Sequence, residues 1–247
     1  MLTVGVDLAA DESNTAVASI RWSDGTAAVE DLITRADDDA VLAAIRTADK
    51  AGIDCPLGWP VPFVDFVAAH HASQFVAPSD VTGRDWRRTL ALRQTDLVVH
   101  DVVGLWPLSV AADRIAHTAM RCAGLLAHLA AHGRPVERSG TGVVVEVYPA
   151  ASLKRWELPH NGYKGSSKRE RLQDVVDALT AAAEWLVLGQ FEEACRRSDD
   201  AVDAVIAALT ARAAALGKTD RPSKEHAVAA ATEGWIAIPA SALSALR

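Results

Sequence analysis

Cysteine is scarce. Cys55, Cys122 and Cys195 are the only three in 247 residues, and none belongs to a C-x-x-C pair. Neither a disulfide framework nor a structural zinc site is expected, and a reducing compartment is. An excess of positive charge is missing too. The 25 Lys and Arg stand against 32 Asp and Glu, a net charge of −7, which argues against a surface coated for non-specific nucleic-acid binding while leaving room for a local basic patch. No uncharged apolar run approaches the ~18 residues of a membrane span. The first residues carry neither a basic segment nor a long apolar stretch of the kind that marks a secretory leader. A cytoplasmic chain without a membrane partner is therefore expected. No internal repeat, linker or low-complexity tract is visible, so residues 1–247 read as one domain, long enough for a substantial core.

What is present is a patterned α/β chain. Residues 2–8, 15–22 and 27–34 read as strands with a two-residue apolar period, and Ser23-Asp24-Gly25 is a hairpin turn signal between the second and third. Residues 38–50 read as a helix whose leading acids, Asp37 to Asp39, suit the positive end of its dipole. A fourth strand over 52–55 is stopped by Pro56, and strand–helix–strand implies a parallel crossover. Residues 56–107 carry prolines and an arginine-rich stretch and read as an insertion with one short helix over 62–72. A long helix over 109–132 ends at Gly133. "GVVVEVYPA" (142–150) is a buried fifth strand, 150–197 a second insertion of loop and helices, 198–217 a helix ending in glycine, and "GWIAIP" (234–239) a last short strand. The expected architecture is a mixed sheet, with antiparallel strands one to three followed by parallel strands four and five, flanked by helices.

Acids interrupt the apolar pattern where strands end. Asp7, Asp54 and Glu146 fall near the carboxyl ends of strands one, four and five, the edge on which open α/β sheets bind ligands. Three acids gathered there repel one another unless a cation lies among them, and magnesium, a hard ion that prefers oxygen, fits such a set. Asp200 and Asp203 share one face of the 198–217 helix. Asp203 is the more telling, because aspartate is a poor helix-interior residue, whereas Asp199 at the helix start reads as a cap. Simpler readings stand beside these: Asp7 as a strand-end acid bonded to backbone amides, Asp54 as a turn former, Glu146 as the partner of an arginine across the sheet.

"GVDLA", "GIDCPLGWP", "RQTD", "EVYPAASL", "DDAVDAVIAALTA" and "EGWIAIP" together resemble the family called domain of unknown function 429, over almost the whole chain. The order of elements is similar to the ribonuclease-H-like fold, closest to its Holliday-junction resolvase branch. The resemblance implies a nuclease or phosphodiesterase. Its site would be Asp7, Asp54, Asp200 and Asp203 as ligands of Mg²⁺ or Mn²⁺, with Glu146 as a further ligand or supporting group, acting on DNA or RNA by two-metal hydrolysis. Residues 38–50 contain no glutamate, unlike the first helix of true ribonucleases H, which argues against specific hydrolysis of RNA–DNA hybrids. A non-catalytic module of the same fold is the alternative. A phosphotransferase of the sugar-kinase and actin kind is a more distant one, since Asp7 is followed by Leu8-Ala9-Ala10-Asp11 instead of that group's D-x-G-x-T loop.

Phosphates need positive partners. Arg84, Arg87, Arg88 and Arg93, with Trp86 among them, form one candidate patch, and Lys164 and Lys168 of "YKGSSKRER" another. Either also reads as a solvated surface. His128 and His132 are four apart but have no third ligand nearby in sequence, and Cys55 has no histidine partner to make it a nucleophile.

Overall fold

The chain opens with β1 (Leu2–Asp7), β2 (Ala16–Ser23) and β3 (Thr26–Thr34), each antiparallel to the one before. In this computed structural model, which describes residues 1–78 and 83–247, Asp24-Gly25 forms the two-residue turn between β2 and β3. Gly25 takes φ +76° there, a left-handed conformation that such turns require. α1 (Asp38–Thr47) begins where the Asp37 carboxylate accepts the Ala40 N–H at 2.8 Å. The crossover delivers β4 (Lys50–Asp54) parallel to β1.

Among its described residues the 56–107 segment holds three helices instead of the one expected: α2 (Val61–His71), α3 (Gly83–Ala91) and α4 (Gln94–Val103). Its residues 79–82 lie outside the described ones. The helix expected over 109–132 is shorter, α5 (Ala116–Ala131). Ser109 Oγ accepts the N–H groups of Ala111 and Ala112, and Asp113 accepts the Ser109 N–H at 2.8 Å. These local bonds offer the backbone an alternative to the helical ladder.

β5 (Val144–Glu146) runs parallel to β4 and covers only part of the expected 142–150. The Gly140 and Gly142 carbonyls before it accept the Lys50 ammonium, and Pro149 after it opens α6 (Pro149–Arg155), the helix position that tolerates proline. α7 (Arg169–Ala182) leads to β6 (Leu186–Val187), a short strand parallel to β3 with no counterpart in the sequence reading. α8 (Glu192–Arg197), α9 (Asp199–Ala215) and α10 (Ala227–Glu233) complete the helices. The strand expected over 234–239 is reduced to isolated bridges, Glu146 with Ile236 and Thr219 with Pro239. The Ile236 N–H is diverted to Thr95 Oγ1 at 2.9 Å.

The result is an α/β fold with one mixed sheet, ordered β5-β4-β1-β2-β3-β6. On one face Ala18, Ile20 and Trp22 pack against Leu179 of α7 and Val205 and Leu209 of α9. On the other Val4, Val6 and Ile53 pack against Ile45 of α1 and Leu125 of α5. α9 lies directly across β1, β2 and β4. A side chain at Gly5 would collide with the Ala204 carbonyl and the Ala208 amide, and a Cβ at Gly52 would stand 2.6 Å from the Ala207 carbonyl oxygen. Glycine on the strands facing alanine on the helix lets the two backbones come together, and this close approach lowers Asp203 onto the end of the sheet.

Candidate functional site

Asp7 ends β1, Asp54 ends β4, and the parallel register places them side by side. Asp203 reaches the same point from α9. One carboxylate oxygen from each of the three lies within 4.8 Å of the other two. Asp203 is 1% exposed; its Oδ1 accepts the Tyr163 hydroxyl at 2.7 Å, and its Oδ2 stands 2.6 Å from Lys164 Nζ as a charge contact without an aligned hydrogen bond. Asp200, one turn earlier on α9, lines the same cleft. Asp199 is not the cap: the Ser198 hydroxyl accepts the Ala201 N–H, while Asp199 accepts the Gly165 N–H at 2.9 Å. Asp199 thereby fastens the Tyr163–Gly165 loop, with its lysine, to the start of α9.

The electrostatics follow from crowding. Burial, then Asp203 and Asp54, hold the Asp7 carboxyl well above the usual carboxylate range. Asp54 is pushed up to about 7 by burial, and further by Asp203 and Glu146, against the pull of Lys164. Asp203 is raised by burial against the pull of Lys164 and the Tyr163 hydrogen bond, and Asp200 by burial and its neighbours Asp199 and Asp203. Burial pulls the Lys164 ammonium down, but the attraction of Asp203 and Asp54 outweighs it and holds the ammonium firmly charged. One lysine stands among more acids than it can neutralise, and the set of oxygens, half-buried at Asp7 and Asp54 and buried at Asp203, is hard and close enough to chelate.

Glu146 does not join them. Its Oε1 takes Arg93 NH2 at 2.7 Å, and its Oε2 takes Arg93 NH1 at 2.9 Å and the Leu57 N–H at 3.0 Å. The sequence reading that placed Arg93 among surface phosphate contacts is corrected by the same bonds. Arg93 is 1% exposed, and its guanidinium also pairs with Asp96 at 2.9 Å and donates to the Glu233 carbonyl at 3.1 Å. Glu233, in turn, accepts the Val61 N–H at 2.9 Å on one carboxylate oxygen and the Gln94 N–H at 2.8 Å on the other. It satisfies the open amides that begin α2 and α4 with a single side chain.

The remaining basic candidates stand apart from the acids. Arg84, Arg87 and Arg88 are exposed on α3, Lys168 is exposed just before α7, and none of the four lines the cleft. Arg88 stacks on Trp106 at 4.7 Å, and Trp86 packs into an aromatic cluster with Phe66 and Phe75 at 5.7 and 5.6 Å, so neither ring is a free stacking platform. His128 and His132 stack on one another at 4.3 Å, and His128 meets Arg46. The three cysteines are free and buried. Sequence reasoning missed Tyr163, Arg114, His160 and Glu233. Tyr163 carried a signal, its place beside Lys164 in the basic stretch. Glu233 carried one too, as the first residue of "EGWIAIP", whereas Arg114 and His160 sit in segments with no distinguishing pattern.

Among the described residues no helix is long and apolar enough to cross a membrane. The sequence model of the family described as "Protein of unknown function (DUF429)" matches residues 5–227, a span that contains Asp7, Asp54, Asp200 and Asp203. No curated protein and no solved structure matches the chain.

Proposed function

The chain belongs to the family described as protein of unknown function (DUF429), and from its acidic centre we propose a divalent-cation-dependent nuclease or phosphodiesterase of ribonuclease-H-like fold. Asp7, Asp54 and Asp203 are its principal ligands and Asp200 an auxiliary one. The observation that carries this reading is the convergence of three carboxylate oxygens within 4.8 Å of one another, with a single ammonium at Asp203. Fixed acids at that spacing are unfavourable without additional positive charge. Support for the fold assignment comes from the acids that close β1 and β4 and from the helix that brings Asp203 over them.

Mg²⁺ or Mn²⁺ held there supplies charge neutralisation and Lewis-acid stabilisation for phosphodiester hydrolysis. The chain's own residues prepare the setting. Tyr163 fixes the orientation of Asp203 through its hydroxyl, Asp199 anchors the loop that carries Lys164, and the packing of α9 on Gly5 and Gly52 holds the acids in register. Lys164 lies where it can turn from Asp203 to a phosphate oxygen once a cation takes up the carboxylate charge. DNA or RNA is the proposed substrate.

One observation favours a second reading, a binding module without catalysis: the Lys164 ammonium already provides a built-in cation at Asp203. Calorimetric titration with Mn²⁺, alongside incubation with DNA and RNA, separates the two. Saturable Mn²⁺ binding and cleavage, both lost in Asp7→Asn, is the expected result. No heat of binding at millimolar Mn²⁺ would leave only the module.

A further inference from the structure

The cleft above the acids has a volume of about 780 Å³, within the ~300–1,000 Å³ span of small-molecule sites. Its floor is the end of β1 and β4, and its walls come from two separate loops, one carrying Leu108, Arg114 and Ile115, the other His160, Asn161 and Lys164. Leu8 and Pro56 add further apolar surface. Arg114 is exposed and makes no hydrogen bond or ion pair among the described residues, so its guanidinium fork is free. His160 Nδ1 lies 3.2 Å from the Leu158 carbonyl. A carbonyl only accepts, so Nδ1 carries the proton and Nε2 is the atom left for a ligand.

A duplex laid across this edge would meet a different surface. Specific protein–DNA interfaces bury ~1,000–2,500 Å² of protein and are strongly basic. Here the net charge is −7, Arg84, Arg87 and Arg88 stand outside the cleft, and Trp106 stacks with His100 at 3.7 Å and Arg88 at 4.7 Å.

We infer that the cleft takes one nucleotide-sized phosphate ester with a free end. Its phosphate is held by Arg114 and Lys164 beside the acids, and its sugar or base lies against Leu108 and Ile115. A free nucleotide and the last residue of a single strand share that chemistry; a continuous duplex does not. The inference rests on the phosphodiesterase reading but is tested separately from it.

The test is calorimetry on the full chain with Mn²⁺ and adenosine 5′-monophosphate, followed by competition with three octanucleotides of one sequence: linear, covalently closed into a circle, and paired in a duplex capped by hairpins. Binding of one nucleotide per chain is expected, weakened at least tenfold in Arg114→Ala and largely restored in Arg114→Lys. Competition by the linear strand points to strand ends as the source, and its failure while the mononucleotide binds points to free nucleotides. Circle or capped duplex competing as well as the linear strand overturns the inference, as does absence of mononucleotide binding. If the nucleotide binds but the chain takes up no Mn²⁺ and hydrolyses nothing, the phosphodiesterase reading fails and the nucleotide site stands.

Discussion

Two groups of acids withdrawn in whole or part from solvent lie near the same edge of one sheet and are handled in opposite ways. Glu146, Asp96 and Glu233 are sealed: Arg93 answers two of them with its guanidinium and backbone amides answer the third. Of Asp7, Asp54 and Asp203, only Asp203 has such partners, one lysine and one tyrosine hydroxyl. Partner supply separates architecture from chemistry here. A carboxylate whose oxygens are all engaged holds elements together. One left short of partners has free energy available for a ligand, at the expense of the unliganded fold.

Breaking the sealed group should have the largest effect. Arg93→Met strands Glu146 and Asp96 in an apolar interior, and urea denaturation should show a loss of about 3–5 kcal/mol. An unchanged midpoint would mean the sealed group is not structural. Next comes the approach that forms the open group. Gly5→Ala drives a methyl into the α9 backbone, with an expected loss of about 1–3 kcal/mol and weaker Mn²⁺ binding, because Asp203 is lifted away from Asp7. Mutating the open group itself should work in the other direction. Asp7→Asn removes repulsion and should stabilise the metal-free chain by about 0.5–2 kcal/mol while abolishing cation uptake. A destabilised Asp7→Asn would show the acids to be paired after all.

The open group also responds to pH. Asp54 titrates near 7 in the folded chain and near 4 when unfolded, so between those values the folded state binds more protons. Metal-free stability therefore falls as pH rises through that window, and Mn²⁺ affinity rises across it because the ligand must lose its proton. Thermal melts with and without Mn²⁺ at pH 5 and 7.5 should diverge accordingly. Lys164→Met leaves the buried Asp203 without its ammonium, a cost that proton uptake by the raised acids offsets in part, so urea denaturation should show a smaller loss than for Arg93→Met. The sharper readout for Lys164→Met is Mn²⁺ affinity, which should increase several-fold once the competing ammonium is gone.

The open group was largely legible in the sequence; of the sealed one, only an arginine partner for Glu146 was foreseen, not which arginine. Asp7 and Asp54 declared themselves by ending apolar strands, and Asp203 by sitting inside a helix among alanines, where aspartate is disfavoured. Each signal is local. Arg93, 53 residues from Glu146, carries no such mark: a buried arginine and a surface one look alike until its partners are placed, and clustering with Arg84, Arg87 and Arg88 in sequence suggested a patch that the fold divides. The same limit explains the short strands. β6 is two residues long, and the 234–239 segment lost its ladder to the Thr95 hydroxyl, a contact that no periodicity reveals.

Glu233 has a consequence for how the chain tolerates change. Its two carboxylate oxygens grip the first amides of α2 and α4, so residues 61 and 94 are moored to the same post, and the stretch between them departs from and returns to one place. Such an excursion has its ends fixed independently of what it contains. Shortening it, or exchanging the part before Arg93 for an unrelated hairpin, should leave the sheet and its acids undisturbed, which makes this arm the natural place for relatives to differ in length and for a reporter to be grafted.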